Sequence, residues 1–317
     1  MSLSTIRASN AKFVHSFANR PVAVFVGGTA GVGAAMATSF LEHTNGNSDI
    51  VIVGRNRAAA EGVFASAPAH QSSASSSVGA QRDFVECDIT LMKNVEAATK
   101  VIKEKYPKIN YLVMSPGVMT LSGRDETAEG IDKKLALHYY ARWKFLADLL
   151  PSVIKAKEEK EQGAVISVLG PGYGGRINVD NLAVEENYSV PTVARVAPTY
   201  NDLMLEQYAL KAPNLAFIHA YPGAVRTTLL ATSPSLLLRM AAPLVPTLLR
   251  PFTVSPAECA ENMWHAAFTT TAGQAGAFRT GAKGENLGRW NYHGNAEQRQ
   301  KLWDHTVEVM NRALGRT

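Results

Sequence analysis

The sequence predicts an α/β fold in which a parallel, doubly wound sheet carries helices on both faces within a single domain. Short apolar runs alternate with longer segments of helical pattern through the first two thirds of the chain. The runs are mostly β-branched or aromatic, which is typical of strands buried on both faces, and the segments between them are long enough for crossover helices. We therefore predict six strands: Val22–Val26, Ile50–Val53, Phe84–Cys87, Tyr111–Met114, Ala164–Val168 and Phe217–Ala220.

The chain of 317 residues is long enough for one large α/β domain and does not require a second one. We place its core at residues 20–230, a lid over a ligand site at 228–252 and further helices at 253–317. The last helix follows an amphipathic pattern from Ala296 to Leu314. A stretch rich in Ser, Ala and Gly, centred on Ser72–Ser77, is predicted to be a flexible surface insertion before the third strand.

The proposed lid is rich in Leu and Ala, which raises the question of a membrane span. Pro234, Pro243, Pro246 and Arg239 interrupt it. A spanning helix needs about 20 mostly apolar, uncharged residues. A mobile substrate lid, or a face that contacts a membrane or a partner, therefore fits this segment better.

The charge and the cysteines exclude several classes of function. The net charge is +5 and the basic residues are scattered, so nucleic-acid binding is not expected and the excess suits an anionic cofactor. Cys87 and Cys259 lie in no recognisable motif, so we expect no disulfide framework, no metal site and a reducing, cytoplasmic location. Residues 1–20 are polar, which does not fit a secretory signal.

A glycine turn follows the first strand and opens a helix predicted over Ala34–Leu41. Its glycines have the spacing TGxxxGxG, with Val26 in place of the Thr. Glycines in such a turn let backbone N–H groups approach a pyrophosphate at the helix N-terminus. The turn predicts a dinucleotide site, with a plain structural turn as the alternative. The residues expected at the nucleotide are Gly27, Gly31, Val32 and Gly33.

The second strand ends in Val53-Gly54-Arg55-Asn56. An acidic residue at this strand end would bind the ribose hydroxyls of NAD, whereas an arginine can pair with the 2′-phosphate of NADP. Arg55 therefore predicts NADP(H) as the cofactor. The alternative is a solvated surface arginine.

Further motifs follow the later strands: Cys87-Asp88-Ile89, Met114-Ser-Pro-Gly-Val-Met119 and Tyr221-Pro-Gly-Ala-Val-Arg-Thr227. With the glycine turn, they resemble the motifs of the short-chain dehydrogenase/reductase (SDR) superfamily. The similarity covers residues 20–230 and points to fungal-type NAD(P)-binding members near the retinol-dehydrogenase branch. It implies a Rossmann-type fold.

The resemblance assigns roles to three residues of these motifs. Asp88 would contact the adenine amino group, with a helix N-cap or a turn as the alternative. Gly117 would lie beside the cofactor, and Thr227 would present its hydroxyl to the nicotinamide carboxamide. The chain departs from the family after the fourth strand, where the bracing asparagines are lost and Pro116 removes a backbone donor.

A larger departure concerns the catalytic residues of the family, which are Asn, Ser, Tyr and Lys. The resemblance places His138, Gly170, Ala194 and Pro198 at these four positions. In the family the Tyr hydroxyl exchanges a proton with the substrate oxygen, the Lys lowers the pKa of that hydroxyl and the Ser polarises the carbonyl. The usual chemistry cannot run without them.

Three side chains that this sequence does contain are candidates for catalysis. His138 and Arg142 are one helical turn apart on the face that normally points at the substrate, and His138 is a candidate acid or base near neutral pH. The alternative is a histidine that only packs. Tyr173 lies in a glycine-rich loop and could supply a displaced phenol, or it could merely close the pocket.

From these observations we expect an NADPH-dependent oxidoreductase that acts on a bulky hydrophobic carbonyl or alkene in secondary metabolism. One alternative is a non-redox cyclase, isomerase or dehydratase with His138 as base; another is a catalytically inactive NADP-binding protein. The expected partner is a small hydrophobic substrate. A homodimer through the helices at Leu135–Leu150 and Ala194–Ala209 is usual in the family.

Overall fold

The structure is a computed structural model that describes residues 1–68, 79–242 and 253–316. At its centre lies a seven-stranded parallel sheet with the order β3-β2-β1-β4-β5-β6-β7. The six predicted strands are confirmed to within two residues at either end. The strands are β1 (Val22–Val26), β2 (Asp49–Gly54), β3 (Arg82–Glu86), β4 (Tyr111–Met114), β5 (Ala164–Val168), β6 (Ala216–Ala220) and β7 (Gly276–Thr280).

The edge strand β7, which pairs with β6, was not among the predicted strands. It contains no continuous apolar run, because it begins with Gly276 and carries Arg279. Arg279 is nevertheless buried, and its Nε lies 3.1 Å from Oδ2 of Asp202. A buried ion pair takes the place of the apolar pattern that identified the other strands.

Helices cover both faces of the sheet. In chain order they are α1 (Leu3–Val14), α2 (Gly31–His43), α3 (Arg57–Ala65), α4 (Met92–Lys105), α5 (Lys133–Leu135), α6 (Ala141–Glu158), α7 (Val190–Lys211), α8 (Leu236–Ala241), α9 (Pro256–His265) and α10 (Ala296–Leu314). A π-helical segment, Ala136–Tyr140, joins α5 to α6, and another, Ala266–Thr270, extends α9.

Strand β1 shows why the strands are apolar throughout. Val24 and Val26 belong to the core that α4, α6, α7 and α10 cover, whereas Ala23 and Phe25 belong to the core on the other face, under α1, α2 and α9. Since successive side chains of a strand point to opposite faces, a strand covered on both sides has no position for a polar residue. All five residues of β1 are buried.

The C-terminal helix α10 has the predicted bounds and packs on helices of its own chain. The ring of Trp303 lies 5.2 Å from Trp143 of α6 and 5.1 Å from Tyr208 of α7. The hydroxyl of Thr306 lies 2.6 Å from that of Tyr139. Helix α10 therefore covers the outer side of α6 and α7.

The predicted lid is described only up to residue 242. Within it, α8 exposes Leu236, Leu237 and Met240. Residues 243–252 of the lid lie outside the described residues, as does the predicted insertion at Ser72–Ser77. Of the helices in the described ranges, none is long and apolar enough to cross a membrane.

Candidate active site

A cleft of about 540 Å³ opens at the carboxyl ends of the central strands. The order of the sheet reverses between β1 and β4, and a crevice at this switch point is where doubly wound folds bind ligands. The cleft brings together all the predicted site residues except two. Its walls include Gly27, Gly31, Val32, Arg55, Asp88, Gly117, His138, Arg142 and Thr227.

The glycine turn forms one wall of the cleft. Gly27 has a φ of +79°, and a Cβ on it would lie 2.8 Å from the backbone nitrogen of Pro116. Gly33 lies behind the wall, where a Cβ would lie 2.2 Å from Oγ of Ser115, so its contribution is close packing of α2. No side chain among the described residues caps α2 at Ala30. The first N–H groups of this helix are therefore available as hydrogen-bond donors to an anion in the cleft.

Arg55 extends from the end of β2 and is exposed. It has no hydrogen bond, ion pair or ring contact with any described residue. Its neighbour Arg57, by contrast, lies over the ring of Phe84, with 4.9 Å between the guanidinium carbon and the ring centroid. Arg55 is thus available to an anion at the cleft, and Arg57 is engaged elsewhere.

Asp88 adopts the turn role that the sequence analysis gave as an alternative, while its side chain also lines the cleft. Its Oδ1 accepts hydrogen bonds from the backbone N–H and the hydroxyl of Thr90, at 3.0 and 2.7 Å. It is not an N-cap, because Glu129 accepts from the first N–H groups of α4 instead. The adjacent Cys87 is buried, and burial raises the pKa of its thiol to about 12.

Thr227 stands opposite the glycine turn. Its Cγ2 would lie 3.4 Å from a Cβ on Gly31, so the Tyr221–Thr227 motif and the start of α2 approach each other across the cleft. Gly117 lies deeper, where a Cβ would lie 3.4 Å from Nε2 of His138. The Tyr221–Thr227 motif and the loop that contains Gly117 therefore both line the cleft. The part of the cleft beside His138 is called its inner end.

His138 lies in the π-helical segment before α6. The backbone N–H of Val118 donates to its Nε2 at 3.1 Å, which leaves the ring proton on Nδ1. Burial and the positive charge of Arg142 lower the pKa of His138 to about 3. In this geometry His138 is a neutral hydrogen-bond donor and not an imidazolium acid near neutral pH.

Arg142 is buried, and its hydrogen bonds tie the ends of two strands together. Nη1 donates to the carbonyl oxygens of Met114 and Val168, at 3.3 and 2.8 Å, and Nη2 donates to that of Pro116 at 2.6 Å. This arginine braces the sheet where the family's asparagines are missing. Burial lowers the pKa of its guanidinium to about 9, so it keeps its charge at neutral pH.

Two buried residues that the sequence analysis did not single out as site residues complete this network. Ser167 accepts from Nη1 of Arg142 at 2.7 Å and donates to Oδ1 of Asn201 at 2.8 Å. Nδ2 of Asn201 donates to the backbone oxygen of His138 at 2.7 Å. A π-helical turn displaces its carbonyls from the regular ladder, and Asn201 supplies the partner.

Tyr173 is not part of the cleft wall. Its ring packs against that of Tyr221 in a tilted arrangement, with the centroids 4.4 Å apart, and lies 6.4 Å from that of Trp290. Its side chain is half exposed. Nearby, Gly170 lies close enough to α7 that a Cβ on it would be 3.6 Å from Cγ of Pro198. Within the described residues no group of three or more His, Cys, Asp or Glu is arranged to hold a metal ion.

Comparisons with known proteins agree with this architecture. A family model described as short chain dehydrogenase matches residues 21–171. Oxidoreductase AN1596 of Emericella nidulans is 31% identical, and the match covers the whole of both chains. Oxidoreductase andH of Emericella variicolor is 34% identical over 72% of this chain and 64% of its own.

Solved structures show the same fold at low identity. An alcohol dehydrogenase from the archaeon Thermococcus sibiricus, complexed with 5-hydroxy-NADP, matches with a TM-score of 0.57 and 16% identity, over 82% of this chain and 96% of that one. A 3-ketoacyl-(acyl-carrier-protein) reductase from Brucella melitensis, complexed with NADH, gives 0.53 and 18% over 86% and 99%. With the motifs, the cleft and the full-length fungal relative, these matches establish that the chain belongs to the short-chain dehydrogenase/reductase superfamily.

Proposed function

We propose that the protein is an NADP(H)-dependent oxidoreductase that reduces a bulky hydrophobic carbonyl or an activated alkene in secondary metabolism. The observation that carries the proposal is the pairing of a glycine turn at the uncapped start of α2 with an unengaged arginine, Arg55, at the end of β2. That end of β2 carries no acidic residue, which the ribose hydroxyls of NAD would favour.

The residues of the cleft fit the parts of this cofactor. Backbone groups from Gly27 to Gly33 would hold the pyrophosphate, and Arg55 would pair with the 2′-phosphate. Asp88 has an Oδ2 without a described partner, which is free to accept from the adenine amino group. Thr227 and Gly117 would border the nicotinamide. When bound, NADPH would supply the hydride. The residues of the cleft would hold and orient the cofactor.

An apolar surface beside the cleft supports a hydrophobic substrate. Leu229 lines the cleft. The next helix in the sequence, α8, exposes Leu236, Leu237 and Met240. The hydroxyl of Ser233 donates to the backbone oxygen of Met119 at 2.6 Å, which ties the start of this segment to the loop after β4. We propose that residues 228–252 act as the substrate lid, with the core at 20–230 and the remaining helices after it.

The test is transfer of label from NADPH deuterated at C4 of the nicotinamide, in both stereochemical forms, to a panel of apolar ketones and enones. The proposal predicts a product that gains deuterium from one of the two forms, detected by mass spectrometry. Conversion of a panel member without deuterium would instead support the non-redox enzyme. Tight NADPH binding without conversion of any panel member would support an inactive NADP-binding protein.

One specific observation favours the alternative of a non-redox enzyme. The inner end of the cleft holds a neutral His138 and a buried Arg142, and the described part of its wall contains no tyrosine or lysine. Such an end can polarise an oxygen without transferring a hydride. The same geometry is compatible with hydride chemistry only if no strong acid is required.

Two further expectations depend on assembly and location. A cytoplasmic location fits Cys87 and Cys259, which are both buried free thiols. A homodimer through α6 and α7 would meet α10, which already packs on these helices. Such a dimer would have to use the parts of α6 and α7 that lie beside α10.

A further inference from the structure

Two side chains that line the cleft, His138 and Arg142, each keep an N–H group without a described acceptor. His138 carries its proton on Nδ1, because Nε2 accepts from Val118, and Nδ1 has no acceptor among the described residues. Nη2 of Arg142 has two protons and donates one, to the backbone oxygen of Pro116. Both side chains line the cleft, so each of the two remaining N–H groups can donate to a ligand that is bound there.

The charge of Arg142 has no counter-ion in the part of the chain that the structure describes. Its acceptors are the backbone oxygens of Leu137, Met114, Val168 and Pro116 and the hydroxyl of Ser167, which are all neutral. No described carboxylate lies within ion-pair distance of it. In a buried place, where the effective dielectric is low, such a charge strongly favours a nearby anion.

The acidic groups around this point are already engaged. Asp132 accepts from the backbone N–H groups of Lys134 and Leu135, and Tyr188 donates to it. Asp202 is paired with His219 at 2.6 Å and with Arg279 at 3.1 Å. Neither carboxylate supplies a counter-ion for Arg142.

We propose that His138 and Arg142 form an oxyanion site, and that it takes the carbonyl oxygen of an α,β-unsaturated ketone or aldehyde whose C=C bond is reduced. This inference rests on the proposed oxidoreductase function and names its substrate class. It assigns both residues to stabilising negative charge and neither to giving a proton.

The atoms and electrons of such a reaction balance without a side-chain acid. A hydride adds to the β-carbon, the π electrons of the C=C bond move to form an enolate, and its oxygen receives the two N–H hydrogen bonds. The α-carbon then takes a proton from water, so that one hydride and one proton saturate the bond while the nicotinamide is oxidised.

The alternative, reduction of the C=O bond, fits the site less well. Hydride addition to a carbonyl carbon makes an alkoxide, a strong base that needs a proton as it forms. An enolate oxygen is a far weaker base, and neutral donors together with a fixed positive charge suffice to stabilise it. The described wall of the cleft offers donors of that kind and no phenol or ammonium group.

The test uses para-nitrophenol, a small aromatic mimic of an enolate whose anion is read directly by its visible absorbance. We expect the intact protein to bind the anion preferentially, lowering the pKa of the bound phenol by about one unit or more, which is about a tenfold preference. His138→Gln and Arg142→Lys should each move that pKa back towards its value in solution. Arg57→Ala, which removes a positive charge from a residue that does not line the cleft, should leave it unchanged.

Failure of the oxyanion site and failure of the proposed function give different results. A bound phenol with its solution pKa or a higher one, or no binding of the phenol at all, overturns the oxyanion site whatever NADPH does. Anion binding in a protein that binds no NADPH overturns the oxidoreductase instead. In turnover, a saturated ketone reduced to its alcohol, with the matching enone left intact, would also contradict the assigned substrate class.

Discussion

Arg142 shows how one side chain holds the centre of this molecule together. A guanidinium without a counter-ion is unfavourable in a buried place unless its donors are satisfied. Here the acceptors are carbonyl oxygens at the ends of β4 and β5 and the hydroxyl of Ser167. The buried carbonyl oxygens in turn lose a donor without the arginine, whereas the hydroxyl of Ser167 keeps its hydrogen bond to Asn201.

Replacement of the arginine by an apolar side chain of similar length should therefore be severe. We expect Arg142→Met to lower the free energy of unfolding by about 3 kcal/mol, since several buried acceptors lose their donor. Arg142→Lys, which keeps the charge and one donor group, should cause a smaller loss. Urea unfolding followed by circular dichroism measures both, and a loss below about 1 kcal/mol for Arg142→Met would contradict this role.

His138 provides a second prediction at this scale, on pH. Burial and Arg142 lower the pKa of His138 to about 3, so the ring should stay neutral throughout pH 5 to 8. Because the unfolded value is near 6.5, the contribution of this residue to stability is present above that pH and declines as the pH falls towards 3. An NMR titration of the Cε1–H resonance, assigned with His138→Gln, should be flat from pH 5 to 8. A midpoint near 6.5 would contradict the account.

At the scale of elements, three helices on the other face of the sheet meet at one carboxylate. Glu261 of α9 is buried and accepts from Nδ2 of Asn10 in α1 at 2.8 Å and from the hydroxyl of Ser39 in α2 at 2.9 Å. Nε2 of His43, also in α2, lies 2.9 Å from it. These contacts hold α1, α2 and α9 together as one layer on this face of the sheet.

The same cluster makes the layer sensitive to acid. Burial alone would raise the pKa of Glu261, but the hydrogen bonds from His43, Asn10 and Ser39 outweigh it and lower the pKa. Its stabilising effect is therefore present above the unfolded value of about 4.5 and is lost as the pH falls through the folded value.

We expect Glu261→Gln to reduce the free energy of unfolding by about 1–3 kcal/mol at pH 7 and by less at pH 4. Glu42→Gln, on the exposed side of α2, is the matched control and should change little at either pH. Urea unfolding at the two pH values measures the difference. Equal effects of Glu261→Gln at both would show that the carboxylate is not the stabilising group.

Elements also show where sequence reasoning stopped. Strand β1 and the helix after it were predictable, because buried parallel strands are apolar throughout and the glycines mark the turn between them. The π-helical segment around His138 was not, since its widened turn depends on Asn201, which lies 63 positions further along the chain. The brace formed by Arg142 was missed for the same reason: its acceptors come from the ends of two strands.

At the scale of the whole molecule, the motifs of the sequence meet because parallel strands end at one edge of the sheet. The glycine turn, Arg55, Asp88, Gly117 and Thr227 come from separate crossovers and line one cleft. Their arrangement follows from topology, which is why they could be predicted together. Tyr173 had no such constraint, and its loop places it against Tyr221 outside the cleft wall.

The central claim is that this cleft binds NADP(H) through Arg55, and an equilibrium titration by calorimetry tests it most directly. NADPH and NADH are titrated into the wild-type protein, Arg55→Ala and the control Arg57→Ala. We predict that the wild-type protein binds NADPH more tightly than NADH. Arg55→Ala should weaken the binding of NADPH about tenfold or more and leave the affinity for NADH unchanged. Arg57→Ala should leave the affinity for both nucleotides unchanged. Absence of binding at millimolar nucleotide, or equal weakening of both nucleotides by Arg55→Ala, would contradict the claim.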